Sequence, residues 1–488
     1  MAFVAGRAIA GASTLLLLLA VVRWLDPREY GAYMVIWGLC ELAVPLTSLG
    51  LLPAVQQFLP RLVTRSDDRT LRRFVLVMEA ARFGLIFSTA LVVALAWSPL
   101  ARWLGLPEDP LTGLAVAALM TAVLGARFAA ELLESLLEQR DAQSVRALQP
   151  IGRLLGLAGL WGLGWGGLGA LLWMEVMVCL LTLVVGQFLL VRRLHCISSE
   201  GNESLDWREV RHFVAHLSAS QLLTATGDAG AARLVVARLL GPEAAGVFGF
   251  LQQLLMTANR YLPSLLLGNV VRPMLVSREA EGNIPLVGVG VAMLVKLNTL
   301  AALLALAVVV SGGDDLLSLA MGRGVEDAGA MLALLMLGLL AQAVSQVAML
   351  ALQVYRLPSV VSRASLVSPV TTVLCALGAA TAGLAGATAG IAVGMWLRGL
   401  VWLHALRKGP VTPIDWRGLS RCAAAAAAVV LACLVARPWV GGVTGATLCA
   451  ACLLGLAYWR FPLTAGELGL LSRGLGARAR SLLRIKLP

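Results

Sequence analysis

Hydrophobic residues fill this chain in long unbroken runs, with short polar stretches between them. Fourteen runs stand out, near 8–25, 30–52, 74–98, 111–137, 148–166, 168–191, 212–237, 245–270, 289–311, 328–353, 360–383, 385–406, 420–436 and 439–459. Most approach the ~20 apolar residues that one helix needs to cross a bilayer. They are too long and continuous for the roughly ten-residue, period-two strands of a membrane β-barrel. The pattern predicts an all-α polytopic membrane protein with about fourteen transmembrane helices. Two junctions are tight, at 164–167 and 383–386, and each could hide a miscounted helical hairpin. The first run lies behind Arg7 like a signal-peptide core, but no small-x-small cleavage site follows it.

A pair of blocks occurs twice. Arg23-x3-Pro27-x3-Gly31 is followed by Pro45-x4-Gly50, and Arg238-x3-Pro242-x3-Gly246 is followed by Pro263-x4-Gly268. The first block recurs after 215 residues and the second after 218. Pro fixes φ and removes a donor, and Gly lets backbones approach, so linked blocks in one order mark an internal repeat. The repeat divides the chain into 1–205, holding runs one to six, and 206–408, holding runs seven to twelve. The polar stretch 192–211 reads as the linker between halves. Residues 409–460 hold two runs with no counterpart in the first half, an appended pair. The tail 461–488 interleaves leucines with Arg473, Arg478, Arg480, Arg484 and Lys486. That is the pattern of a basic amphipathic helix on the cytoplasmic leaflet.

Composition agrees: 59% of residues are hydrophobic and 14% charged, against about 25% charged in soluble proteins. The net charge of +12 is sorted by side. Loops on the N-terminal side collect 26 basic residues, and the opposite side has six together with the acidic pairs Glu108-Asp109, Asp314-Asp315 and Glu326-Asp327. Positive-inside bias places both termini in the cytoplasm. The basic charge therefore anchors loops and does not indicate a nucleic-acid partner. The longest loops have about 20 residues, too few for a soluble catalytic domain. There is no Walker A motif and no Gly-x-Ser-x-Gly elbow. His212 and His216 stand at i, i+4 without a third ligand nearby, which favours a structural role over a metal. Cys449 and Cys452 have CxxC spacing inside an apolar run and read as buried thiols. No cofactor is expected.

Seven basic residues remain inside the runs: Arg82, Arg127, Arg153, Arg233, Arg260, Lys296 and Arg398. A charge in hydrocarbon costs at least about 2.5 kcal/mol on insertion scales. Arg82, Arg153, Lys296 and Arg398 lie near cytoplasmic helix ends, where they can snorkel. Arg127, Arg233 and Arg260 lie deeper. Arg127 shares a helical stripe with Glu131 and Glu134, the spacing of an ion-pair ladder. Glu41 and Asp228 are the central acids, and Glu175 has no obvious partner. At the second offset Glu41 aligns with Asn259, each four residues before the repeated Pro. A polar position recurring at one depth points to a site at a repeat interface near the midplane. The candidate substrate-binding residues are Arg260, Asn259, Glu41, Asp228, Arg233 and Arg127. Asp228 and Glu41 are also the candidates for coupling to a proton or cation. Arg260, about ten residues or ~15 Å from the cytoplasmic end of its run, either meets an anionic headgroup or pairs with Asp228 or Glu41.

Three features carry a family resemblance. They are Arg-x-Leu-x-Pro-x3-Gly at 23–31, the second run ending Leu49-Gly50-Leu51, and the basic loop after Phe58-Leu59-Pro60-Arg61. Together they resemble the polysaccharide-transport branch of the multidrug/oligosaccharidyl-lipid/polysaccharide (MOP) exporter superfamily, the Wzx-type flippases of O-antigen and exopolysaccharide repeat units. The resemblance spans nearly the whole chain by layout and is specific in sequence over 1–75 and 212–280. It implies two MATE-like six-helix lobes in a V around a cavity, in the bacterial inner membrane. It further implies that an undecaprenyl-diphosphate-linked oligosaccharide moves from the cytoplasmic to the periplasmic leaflet by alternating access. The implied partners are that lipid-linked oligosaccharide, membrane lipids, and a polymerase or glycosyltransferase of the same pathway. Two further readings stay open: a drug/cation antiporter of the same superfamily, which needs a net acidic cavity, and a non-transporting scaffold of a glycan-assembly complex.

Overall fold

The computed structural model describes residues 2–65, 67–196, 205–266, 275, 279, 281–322, 324, 325, 327–355, 358–406, 416–440 and 442–459. The tail 461–488, linker residues 197–204, the polar break 407–415, Gly268, and the side chains of Arg7 and His216 lie outside the described residues. The described elements are all helices. In the first half they are α1 (Ala2–Trp24), α2 (Pro27–Ser48), α3 (Leu51–Arg65), α4 (Asp68–Leu95), α5 (Trp97–Leu104), α6 (Pro110–Ser135), α7 (Gln139–Gly162) and α8 (Leu168–Cys196). There follow α9 (Trp207–Ala225), α10 (Ala229–Leu240), α11 (Pro242–Arg260), α12 (Pro263–Leu266), α13 (Ile284–Met321) and α14 (Ala328–Val354). The last are α15 (Pro358–Ser365), α16 (Ser368–Leu406), α17 (Trp416–Val440) and α18 (Gly442–Trp459). Helix starts recur at near-constant spacing: Pro27 and Pro242 open α2 and α11, Pro110 and Ala328 open α6 and α14, Gln139 and Pro358 open α7 and α15. By packing, the chain forms two compact units, Met1–Phe250 and Leu251–Pro488.

Among the described residues eight stretches are long and apolar enough to cross a membrane, so this is a polytopic all-helical membrane protein. The number is below fourteen partly because one stretch, Arg363–Leu406, holds two arms. α16 folds back on itself at Ala382–Gly383, where Gly383 has φ +60 and ψ −140, a conformation open essentially to Gly alone. The arms close on Gly378, Gly386 and Gly390, where a Cβ would strike backbone across the seam. Short or partly polar helices account for further differences. α7 begins Gln139-Arg140-Asp141, and the expected run at 212–237 is two helices, α9 and α10, parted at Thr226-Gly227-Asp228. Those are turn formers, and a hydropathy average hides them.

The loop expected after Phe58 is also helical. In α3, Leu51, Ala54, Val55, Phe58, Leu59 and Leu62 recur at three- and four-residue steps and enter the core of the first unit. Phe58 packs edge-on to Phe213 of α9 at 5.5 Å, and Phe74 of α4 lies 6.1 Å from Trp207.

α2 organises this unit. Pro27 occupies its first turn, and the Glu29 N–H donates to Asp26 Oδ1 at 2.7 Å, so the start is capped and pre-set in φ. Every residue from Tyr30 to Cys40 is buried. The two repeated blocks meet here: a Cβ on Gly31 would strike the Pro242 carbonyl, and one on Gly246 would lie 2.9 Å from the Gly31 Cα. The glycines the repeat singles out are thus the crossing point of α2 and α11. Between α5 and α6, Arg102 hydrogen-bonds Glu108 and holds its carboxyl below the usual carboxylate range. A depressed acid contributes stability above its unfolded pKa and loses it as pH falls through the folded value. This contact is therefore intact at neutral pH and lost only in acid.

Gly31→Ala is expected to lower the thermal midpoint of the purified protein, with overpacking costing about 1–3 kcal/mol. Gly84→Ala, whose Cβ would meet nothing within 4 Å, should leave the midpoint unchanged or higher. Equal midpoints for the two variants would show that the crossing is loose.

Candidate functional site

In the first unit, broken backbone and charge converge along one face of α2. Pro45 has no N–H to give the Glu41 carbonyl, and Arg82 donates to the adjoining Val44 carbonyl at 3.3 Å. Four residues on, α2 ends with Leu49 in the left-handed region (φ 36) and Gly50 at φ +76. The interruption is therefore at Leu49–Gly50, and Pro45 itself lies within the helix. Side chains of α9 satisfy the break: Ser218 Oγ donates to the Leu49 carbonyl at 2.7 Å, and the Gly50 N–H donates to Gln221 Oε1 at 2.8 Å. α10 lies against the middle of α2, with Gly230 on the backbone of Gly38 and Leu42. Non-helical backbone at membrane depth persists only where protein buries it or a wet cavity borders it.

Charge crosses this seam. Arg233 on α10 is 1% exposed and pairs at 3.1 Å with Glu41, which is 31% exposed. Asp228 stands at the N-cap of α10, although its side chain does not bond the first-turn amides. On the neighbouring helix α6, Arg127 is exposed while both its flanking residues, Ala126 and Phe128, are buried. It lies within electrostatic reach of Cys40 and Glu131. The expected ladder does not form: Glu134 pairs instead with Arg146 of α7, because α7 brings a second guanidinium to it.

A second cluster lies nearer the start of α2. Arg153 of α7 pairs with Glu175 of α8 at 2.6 Å, and Glu175 is fully buried. Tyr33 donates to Glu175 Oε1 at 2.8 Å and accepts from Arg153 at 2.6 Å. The guanidinium also lies 4.5 Å from the centre of the Trp37 ring, a cation–π contact. Arg153 therefore does not snorkel, and Glu175 has a partner. Glu29, Tyr33, Trp37 and Glu41 stand at i, i+4 along α2, a polar stripe that helical periodicity could have found.

The second unit has an uncharged counterpart. Gln346 of α14 donates to Asn259 Oδ1 at 2.7 Å and accepts from Ser264 at 3.4 Å. Asn298, fully buried, accepts from the Ser264 N–H at 2.8 Å and donates to Ser264 Oγ at 2.7 Å and to the Ala343 carbonyl at 3.0 Å. One turn before Gln346, Gln342 accepts from Arg398 at 3.2 Å. Arg260 is exposed and ends α11. The continuous helix through 245–270 is thus corrected to one stopping at Arg260, where a cation suits the negative helix end. Of the six candidate residues, Glu41, Arg233 and Asp228 share the α2–α10 seam, Arg127 lies on the adjacent α6, and Asn259 and Arg260 end α11.

A model of the polysaccharide biosynthesis protein family matches residues 8–277, more than half of the chain. Among similar solved structures is the lipid II flippase MurJ in an inward closed conformation, with TM-score 0.70 and 10% identity over 93% of this chain and 98% of that one. An inward-facing multidrug resistance MATE family transporter of the MOP superfamily has TM-score 0.64 and 14% identity over 84% of this chain and 100% of that one. Its outward-facing counterpart has TM-score 0.59 and 16% identity over 82% and 92%. Identity at this level carries the fold alone. No curated protein matches the chain.

Glu175→Gln should destabilise the protein by about 3 kcal/mol or more, because it leaves Arg153 buried without its counter-charge. The double variant with Arg153→Met should recover most of that loss in a thermal-unfolding assay. A double variant no more stable than Glu175→Gln would mean that the pair does not carry the cost.

Proposed function

Because the chain belongs to the polysaccharide biosynthesis protein family, we propose that it is a lipid-linked oligosaccharide flippase of the MOP exporter superfamily. In this reading it moves an undecaprenyl-diphosphate-linked repeat unit, of O-antigen or exopolysaccharide, from the cytoplasmic to the periplasmic leaflet by alternating access. The chain is a multi-pass protein of the bacterial inner membrane with both termini in the cytoplasm. It acts as a translocase, not an enzyme, alongside the polymerase and glycosyltransferases of its pathway.

The observation that carries the reading is Arg127. Arg233 and Arg153 are each neutralised by a carboxylate, whereas Arg127 is exposed and has no direct ion pair among the described residues. A guanidinium within a span does not face lipid tails, so the space before it is polar. Its fork matches diphosphate oxygens. The lipid tail stays in the bilayer, and only the headgroup needs this path. Glu41, the accessible member of its pair, and Asp228 are the coupling carboxylates for a proton or cation.

Proteoliposomes loaded with an undecaprenyl-diphosphate glycan and read by a leaflet-specific probe should show protein-dependent translocation. Arg127→Ala should slow it about tenfold or more, the loss of one charge-assisted contact, at unchanged protein level, and Arg127→Lys should retain part. Transport of a cationic dye without the glycan would favour the antiporter reading. For orientation, a cysteine at Glu108 should react with an impermeant reagent from the periplasmic side and one at Arg69 should not; the reverse pattern inverts the topology.

A further inference from the structure

The amides of the second unit are arranged unlike the charges of the first. Asn298 and Ser264 are buried, while Asn259, Gln342 and Gln346 remain partly exposed. The buried pair fixes two of the accessible ones: Ser264 is held by Asn298 and in turn donates to Gln346, and Gln346 donates to Asn259, while Gln342 accepts from Arg398 through its oxygen and keeps its amide N–H donors. Gln342 and Gln346 stand at i, i+4 on α14, one above the other on one face. Asn259 lies beside a backbone break, since α11 stops at Arg260 and α12 begins at Pro263. At membrane depth such a break, fringed by accessible amides, borders polar space or protein, not lipid.

Amide side chains carry both donors and acceptors and no charge at any pH. A diphosphate offers acceptors only and is served by guanidinium groups. A sugar offers hydroxyls that each donate and accept, which is the complement of an amide row. We propose that Asn259, Gln342 and Gln346 form a carbohydrate subsite that binds glycan hydroxyls of the cargo. Asn298 and Ser264 are positioning residues that act through Gln346. The inference rests on the flippase reading and concerns only the glycan of the cargo.

The test is direct binding to the full-length protein in nanodiscs, with three probes: undecaprenyl diphosphate bare, with one hexose, and with a tetrasaccharide. Wild-type protein should bind the tetrasaccharide form more tightly than the bare lipid. Gln342→Met with Gln346→Met keeps side-chain length and removes the amide donors and acceptors, leaving only weakly accepting thioethers. It should lower affinity for the tetrasaccharide form about tenfold, the loss of a few neutral hydrogen bonds, and leave bare-lipid affinity unchanged. The single variant Gln342→Met, which spares the Asn298–Ser264–Gln346 chain, should show a smaller loss of the same kind, and equal melting temperatures exclude misfolding. If the sugar-dependent increment survives in both variants, or wild-type protein shows none, the subsite is wrong while the lipid-diphosphate reading stands. If no probe binds wild-type protein, the flippase reading falls and the subsite with it.

Discussion

Hydrocarbon offers no hydrogen-bond partner, so every polar group taken into the membrane must be satisfied from within the protein. Most of the organisation of this chain follows from that constraint. Where α2 ends inside the first unit, two side chains of α9 complete the freed carbonyl and N–H. Where α11 ends, Asn298 and Ser264 knit the next turn to α13 and α14. Where Arg153 and Arg233 enter the spans carboxylates meet them, and Arg82 meets a backbone carbonyl. The breaks and the charges lie together because each needs the polar surroundings that the other supplies.

The two units solve the same problem with different chemistry. The first uses ion pairs braced by an aromatic stripe on α2, and Glu175 and Arg233 are almost wholly out of solvent. Such pairs contribute little net stability relative to apolar packing, yet losing one member is costly. They hold a geometry more than they add energy. The second unit also carries cations, Lys296 at 1% exposure and Arg398 on Gln342, but its main polar network is of neutral amides, which lose less on leaving water and do not respond to pH.

Much of the fold was legible in the sequence. Long apolar runs gave the membrane class, and the repeated Pro and Gly positions marked backbone that proves special: Gly31 and Gly246 at the α2–α11 crossing and Gly50 at the end of α2. The breaks were less legible. Thr226-Gly227-Asp228 interrupts a run too briefly to change its mean hydropathy, and the apolar periodicity of α3 was hidden by the arginines beyond it. Partners of buried charges could not be read at all, because Arg153 and Glu175 are brought together by the turn between α7 and α8 and by α2, distant in the chain. Glu41 with Arg233 was legible only as two deep charges of opposite sign.

The bonds from α9 to the end of α2 set an order on biosynthesis. Ser218 and Gln221 are made well over a hundred residues after Leu49 and Gly50, the groups they satisfy. Chains emerge N-terminal end first, so the early helices reach the bilayer with that break still open. Pro242 and Gly246, which seat against Gly31, emerge later still. The first unit is therefore completed by the helices made last within it, α9, α10 and the start of α11. A ribosome halted after α8 would leave in the membrane a set of helices among which α2 still lacks the contacts that finish it, a natural substrate for membrane quality control.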